Sequence, residues 1–306
     1  MKGKNMKTIT IVTPTYNRAN KLEKVFESLK KQTRKDFEWL VIDDGSIDNT
    51  KDIIEILKKE ADFDVFYYKQ DNQGKHIALN RAFKEVKTEL LMILDSDDCL
   101  IDTAIEGVLL IHEKYRNDDK IAAYVFQKGK LTGSNERITQ VFKEEEFTDN
   151  YNTYIINKEV KGDKEEVFKT NILKDYSYPQ YSGEKFVGEG VLWSKISHKY
   201  DMVFCNKVIY LCEYLDDGLT KSGRSFRMKN PQGGKYHAEE YLDKRYKNKI
   251  RIKNAILYLI YSKKLKESYF EILKNRKEKV LFILAKLPSE ILYYKWTKNG
   301  REEKND

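Results

Sequence analysis

Three cysteines in 306 residues, Cys99, Cys205 and Cys212, include no C-x-x-C pair. Neither a zinc framework nor a disulfide scaffold is expected, and a reducing compartment is the default. No apolar run reaches membrane-spanning length, and the apolar stretch in the opening MKGKNMKTITIVTP is too short for a signal peptide. The expected location is the cytoplasm, including peripheral attachment to the inner face of the cell membrane. Two phosphate-binding loops are also missing: there is no G-x-x-x-x-G-K-[ST] and no G-x-G-x-x-G after a strand. Any phosphorylated ligand must therefore be neutralised by a metal and a few basic side chains. Internal repeats and low-complexity segments are absent.

What is present is positive charge, +8 with a pI near 9.0. Basic proteins seek nucleic acid, anionic lipid or phosphorylated substrates. Short apolar runs at Ile9–Val12, Trp39–Ile42, Val65–Tyr68 and Leu90–Leu94 alternate with segments of helical spacing, such as Leu22, Val25, Phe26 and Leu29. That alternation predicts a mostly parallel sheet with helices on both faces over about the first 125 residues, its strand carboxyl ends sharing one ligand-binding edge. Residues 128–180 are polar and mixed, with turn signals at Gly129, Gly133 and Gly162, and are expected to hold a few strands and a mobile loop. From about Tyr236 the chain becomes basic and amphipathic, with no proline before Pro288. The division expected is a catalytic domain over 1–230 and a helical region over 231–306. That region can pack as a bundle on the catalytic domain or form an interfacial surface for anionic lipid.

Two strand exits are acidic. WLVIDDGSIDNT carries Asp43 and Asp44, and LDSDDCL carries Asp95, Asp97 and Asp98. Adjacent carboxylates at a strand end repel one another and are costly without a cation. Hard divalent ions such as Mg²⁺ or Mn²⁺ take oxygen ligands and share them with substrate phosphates. The plainer alternative is an acidic turn that caps the next helix. Cys99 reads as a small buried hydrophobe.

IVTPTYNR, VIDDGSIDNT, DNQGKHIALN and LDSDD, in this order and spacing, resemble family 2 glycosyltransferases of the GT-A fold, over about the first 110 residues. GEKFVGEGVLWSKI and EYLDDGLT are similar to later signatures of a bacterial branch. The resemblance implies that Pro14, Thr15 and Tyr16 lie beside a nucleotide base, with the Tyr16 ring offered for stacking. It implies that Asp44 accepts a hydrogen bond from a uracil N–H while Asp43 orders the turn. Asn72, Gly74 and Lys75 form another wall of the donor site. Relatives often carry arginine where Leu79 stands, and Lys75 then supplies the positive charge, unless it is an ordinary solvated lysine. Arg18 either helps hold the nucleotide or is a surface arginine, and His76 either lines the site or packs at a helix start.

Asp95 and Asp97, flanking Ser96, match the D-x-D motif. By resemblance Asp95 reaches the ribose or sugar and, with Asp97, the metal; Asp97 binds the metal that bridges the diphosphate. The general base is sought in VGEGVLW, where Glu189 matches a carboxylate and Gly190 stands where many relatives have aspartate; Glu184 and Asp175 come next. Lys221 and Arg224, in DDGLTKSGRSFR, can close over the diphosphate or face solvent. Relatives often place a metal-binding histidine there, and His237 is the later candidate.

The function implied is an inverting, metal-dependent transfer of a hexosyl or N-acetylhexosaminyl group. The donor is a UDP-sugar and the acceptor a saccharide or lipid-linked saccharide, in cell-surface or capsular polysaccharide synthesis. One alternative is a nucleotidyltransferase acting on sugar phosphates, which wants a glycine-rich N-terminal loop that TPTYNRANK does not supply. The other is a basic nucleic-acid-binding protein, for which no recognised motif is present.

Overall fold

The computed structural model describes residues 7–131, 136–212 and 223–302. Strand and helix alternate from the start: β1 (Ile9–Thr15), α1 (Ala19–Lys30), β2 (Phe37–Asp43), α2 (Thr50–Glu60), β3 (Asp64–Lys69), α3 (Lys75–Glu85) and β4 (Leu90–Ile93). Next come β5 (Cys99–Leu100), α4 (Ala104–Tyr115), β6 (Ile121–Lys130), β7 (Glu146–Asp149), a π-helical turn (Asn152–Ile156), β8 (Lys164–Lys169) and α5 (Thr170–Leu173). The remaining elements are α6 (Gly190–Ile196), β9 (Asp201–Cys212), α7 (Gly223–Lys229), α8 (Pro231–Glu240), α9 (Asn248–Lys264), α10 (Tyr269–Lys274) and α11 (Lys279–Glu302).

Nine strands among the described residues form one sheet, in the order β3-β2-β1-β4-β8-β6-β9-β5, with β7 also paired to β9. Strands β1–β4, β6 and β9 run one way; β5, β7 and β8 run against them. The expected mostly parallel sheet is therefore present. The mixed segment after β6 supplies β8, which inserts between β4 and β6 and pairs antiparallel with both.

Apolar spacing decides which faces are buried. Leu22, Val25, Phe26 and Leu29 of α1, Ile54 and Leu57 of α2, and Ile105 and Val108 of α4 share one core cluster with Ile9, Ile11, Trp39 and Val41. These strand residues alternate along β1 and β2, so they line a single face. Strands β1, β2 and β3 step outward in one direction, and the connection through α3 returns to β4 on the other side of β1. Right-handed crossovers place α3 on the opposite face from α1 and α2. The strand order thus reverses between β1 and β4, and a crevice opens outside their carboxyl ends.

The chain forms two compact units. The first comprises Met1–Ile155, Glu159–Ser177 and Ile196–Glu213, and holds the whole sheet. The second comprises Ile156–Lys158, Tyr178–Lys195 and Tyr214–Asp306. Its helices have their own core, in which Ala238 and Leu242 meet Ala255, Tyr258 and Leu259 of α9 and Phe282 and Ala285 of α11. The tail is helical, as its pattern predicts.

Candidate active site

The switch point gathers the motifs of the sheet-bearing unit. At the exit of β1, Thr15 is buried and its hydroxyl has no hydrogen-bond partner among the described residues, while the Tyr16 side chain is 45% exposed. The β1 and β2 exits are tied together: the Asp44 N–H donates to the Thr15 carbonyl at 2.8 Å, the Asn17 N–H to Ser46 Oγ at 2.9 Å, and the Ile47 N–H to Asn17 Oδ1 at 2.8 Å. Asp48 accepts the Ala19 N–H at 3.1 Å, where α1 begins.

The two aspartates of the β2 exit do different work. Asp43 is fully buried and accepts the Ser46 N–H at 2.8 Å and the Tyr67 hydroxyl at 2.6 Å, which fixes the turn. Asp44 is 4% exposed; its Oδ1 accepts Gln70 Nε2 at 2.8 Å and the Gln73 N–H at 3.0 Å, and its Oδ2 accepts the Gly74 N–H at 2.7 Å. A carboxylate offers about four acceptor positions, so these contacts leave one for a further donor. Asp44 therefore draws the segment before α3 against the β2 exit. Gly45, at φ 85°, permits that approach, since a Cβ there would lie 2.8 Å from the Asn72 backbone nitrogen. Gly74, at φ 95°, then turns the chain into α3.

The β4 exit is held by cations. Lys75 Nζ, at the start of α3, lies 2.6 Å from Asp95 Oδ1. Arg18 forms an ion pair with Asp97, and Lys24 Nζ donates to the Asp97 carbonyl at 2.8 Å. Burial works against ionisation of Asp95, but the charges of Lys75, Lys128 and Arg18 outweigh it and hold the carboxyl below its ordinary range. Asp98 turns the other way, accepting the Tyr210 hydroxyl at 2.7 Å. Burial, and then the charge of Asp95, push its carboxyl up to about 7. Each of the three carboxylates faces a protein partner: Lys75 for Asp95, Arg18 for Asp97 and Tyr210 for Asp98. Among the described residues no three His, Cys, Asp or Glu side chains are placed to hold a metal. Asp95 and Asp97 remain adjacent oxygen donors of the kind a hard cation shares with phosphate.

Three residues beneath this turn escaped the sequence reading. The Tyr210 hydroxyl, on β9, also receives the Asp95 N–H at 3.1 Å. Lys128 Nζ, on β6, sits 3.7 Å from the centre of the Tyr210 ring and 3.2 Å from Glu165 Oε2 on β8. Burial pushes the Glu165 carboxyl up to about 8 despite Lys128. Burial also works to discharge Lys128, but Glu165 and Asp95 outweigh it, so the ammonium keeps its proton. The local pattern carries no distinct signal for this network: Lys128 follows the apolar part of β6, IAAYVFQKGK, and Glu165 lies in the charged start of β8, KEEVFK.

Among the predicted residues, Ser96 is buried, Asn72 is half-buried, and Leu79 lies fully in the core. His76 is buried at the start of α3, and burial alone lowers its imidazole to about 4, which fits packing. All three cysteines are buried and free. Asp175 is exposed after α5.

The other candidates belong to the second unit. Glu189 is half-buried just before α6, and its carbonyl accepts the Tyr178 hydroxyl at 3.3 Å. Glu184 accepts the Gln232 N–H at 2.8 Å and the Gly233 N–H at 2.9 Å, so it satisfies the open N-terminus of α8. His237 lies beside Gly188, its Nε2 3.6 Å from where a Cβ would stand, and burial, then Arg227 and Lys253, lower its imidazole to about 4. Lys221 lies outside the described residues, as does the Arg224 side chain.

The model of the family "Glycosyl transferase family 2" matches residues 10–171, more than half of the chain and all of the sheet up to β8. The chain belongs to glycosyl transferase family 2. Among relatives of this family 2 protein is the teichoic acid poly(glycerol phosphate) polymerase of Staphylococcus epidermidis, 34% identical over 39% of this chain and 16% of the relative. The poly(ribitol-phosphate) beta-N-acetylglucosaminyltransferase TarP of Staphylococcus aureus is 34% identical over 41% of this chain and 38% of its own. A Campylobacter jejuni GalNAc(5)-diNAcBac-PP-undecaprenol beta-1,3-glucosyltransferase is 32% identical over 34% of each. The chain thus spans less than half the length of these curated relatives. In three dimensions it is similar to S. aureus TarS 1-349 in complex with UDP, with a TM-score of 0.61 at 17% identity over 97% of this chain and 92% of that one. A Pyrobaculum calidifontis mannosyltransferase in complex with GDP-Man and Mn2+ matches with a TM-score of 0.55 at 17% identity, over 95% and 83%. The fold is GT-A with a helical C-terminal region, as the resemblance implied.

Proposed function

We propose that this protein is an inverting glycosyltransferase that takes a hexosyl or N-acetylhexosaminyl group from a UDP-sugar. The observation that carries the reading is the convergence of the β2 and β4 acidic exits on the two sides of β1, within the family match. Tyr16 offers an exposed ring for the base, Asp44 keeps one acceptor position for its N–H, and Asn72, Gly74 and Lys75 line the neighbouring wall. The UDP-bound and UDP-GlcNAc-bound TarS neighbours support a uridine donor. The acceptor proposed is a saccharide or lipid-linked saccharide of a cell-surface polymer, in line with the names of the relatives. We keep 1–230 as the catalytic domain and 231–306 as an appended region.

Asp97, with Asp95, would hold a divalent metal together with phosphate oxygens, and the metal would supply charge neutralisation for the departing diphosphate. Arg18 and Lys75 balance these carboxylates, and both cations would become available to phosphate oxygens were a divalent ion held by Asp95 and Asp97. Ser96 lies within the same turn, and Lys221 and Arg224 are proposed to approach the phosphates. Glu189 is proposed to take the proton from the acceptor hydroxyl as it attacks the anomeric carbon from the face opposite UDP, which inverts configuration.

UDP release from a panel of UDP-sugars, with Mn²⁺ and with chelator, tests the proposal. Wild type is expected to release UDP only with metal, and Asp97→Ala to lose metal-dependent UDP binding by calorimetry. Glu189→Gln is expected to keep UDP binding while transfer to a true acceptor falls about 100-fold or more. Unchanged affinity in Asp97→Ala moves the metal elsewhere, and near-normal transfer by Glu189→Gln removes it as the base.

A further inference from the structure

The charge of this protein is not evenly shared. Residues 231–306 carry 19 Lys and Arg against 10 Asp and Glu, an excess of nine, while the chain as a whole carries +8. The entire positive balance therefore sits in the helical tail. The same region leaves apolar surface uncovered. On α11, Phe282, Ala285 and Ser289 are buried, whereas Val280 is 70% and Leu287 69% exposed, and Ile283, Leu284, Ile291 and Tyr294 are also exposed. The exposed residues recur at intervals of three and four, so they form one stripe on the face opposite the buried set. Phe270, on α10, is 80% exposed.

From these two features we propose that α10 and α11 form a docking surface for an anionic lipid bilayer. The stripe from Val280 to Tyr294 is roughly 21 Å long at helical rise, enough to lie along a bilayer interface. No helix among the described residues is long and apolar enough to cross a membrane, so the helix lies in the headgroup plane. Charge selects the occupant. Lys274, Lys277, Lys279 and Lys295 are all exposed near the stripe. A second copy would bring the same cations against them, and like charges repel. An anionic surface gains from each cation, and apolar side chains gain from the acyl boundary beneath. Nucleic acid satisfies the cations but leaves the stripe in water.

The test is flotation of the full chain with phosphatidylcholine vesicles, plain or with about one third phosphatidylglycerol. Wild type is expected to float with the anionic vesicles and not with the neutral ones. The double variant Leu284→Glu, Leu287→Glu replaces exposed side chains, so its circular dichroism and melting should match wild type, while its vesicle binding falls on the order of tenfold or more. Lys277→Glu with Lys279→Glu should weaken binding and lower its salt sensitivity. If wild type stays with the soluble fraction, or the Glu variants float as well as wild type, the proposal is wrong. A concentration-dependent dimer by sedimentation that the leucine variants dissolve, with no vesicle binding, assigns the stripe to a second copy and also overturns it. Vesicle binding needs no donor, so its outcome is independent of the glycosyl-transfer reading.

Discussion

Asp44 and Asp97 read alike in the sequence, as acidic residues at strand exits, yet their surroundings assign them different costs. Asp44 is buried and anchors three donors, two of them backbone amides. Asp44→Ala strands those donors and should destabilise the fold by roughly 3 kcal/mol. Asp97 is one-fifth exposed and its partner Arg18 one-quarter, so solvent screens the pair. Asp97→Ala should cost at most about 1 kcal/mol. Urea unfolding of the two variants checks the contrast, and equal losses would mean that Asp97 also holds the β4 turn in place. For UDP binding, the same contrast means that a weakened Asp44→Ala is informative only when measured well below its melting temperature.

At the level of elements, the D-x-D turn is positioned by a strand more than 100 residues away. Tyr210 on β9 touches both Asp95 and Asp98 through one hydroxyl. Tyr210→Phe keeps the ring and its Lys128 contact but removes both hydrogen bonds. It should destabilise the protein by about 1–3 kcal/mol and weaken metal-dependent UDP binding, although Tyr210 itself is proposed to touch no donor atom. Paired urea and calorimetry experiments check this, and unchanged donor affinity would show that the turn holds its shape unaided. The same geometry explains what was legible in the sequence. Strands β1, β2 and β4 and their exits were readable because apolar run, turn and acidic residues are contiguous. The tail was readable from helical spacing. The insertion of β8 was not, nor was the Lys128–Glu165–Tyr210 network, because each depends on pairing between distant segments that no local pattern encodes. Glu184 is a further instance. As a glutamate near a family motif it reads as a second-choice base, and only the packing of α8 reveals that it caps a helix.

For the molecule as a whole, buried ionisable groups set opposing pH dependences. His76 and His237 have imidazoles lowered to about 4 by burial. The unfolded chain takes up protons near pH 6.5, which the folded chain refuses until about pH 4. Stability is therefore lost as pH falls through that interval, by up to about 1.4 kcal/mol per pH unit for each group. Asp98 and Glu165, raised to about 7 and about 8, act in the other sense: the stability tied to their bound protons is present below about pH 4 and is lost as pH rises through 7 to 8. For these four groups the opposite slopes largely cancel between about pH 4 and 6.5, and above that only the carboxyl loss continues. His76→Gln should remove one of the two histidine slopes, so that its stability relative to wild type falls as pH rises from about 4 to 6.5, whatever its absolute cost. Urea midpoints at several pH values measure this, and parallel curves would show that His76 titrates normally.

The insertion of β8 also carries a consequence for synthesis. Leu90, Leu91 and Met92 of β4 pair with Lys169, Phe168 and Val167. While the ribosome is still making the segment between them, the nascent sheet ends at β4 with a bare, wholly apolar edge. Such an edge invites pairing with other chains. The chain is thus most exposed to aggregation midway through translation, and it is relieved of that hazard as β8 emerges, only two residues before the family match ends at residue 171.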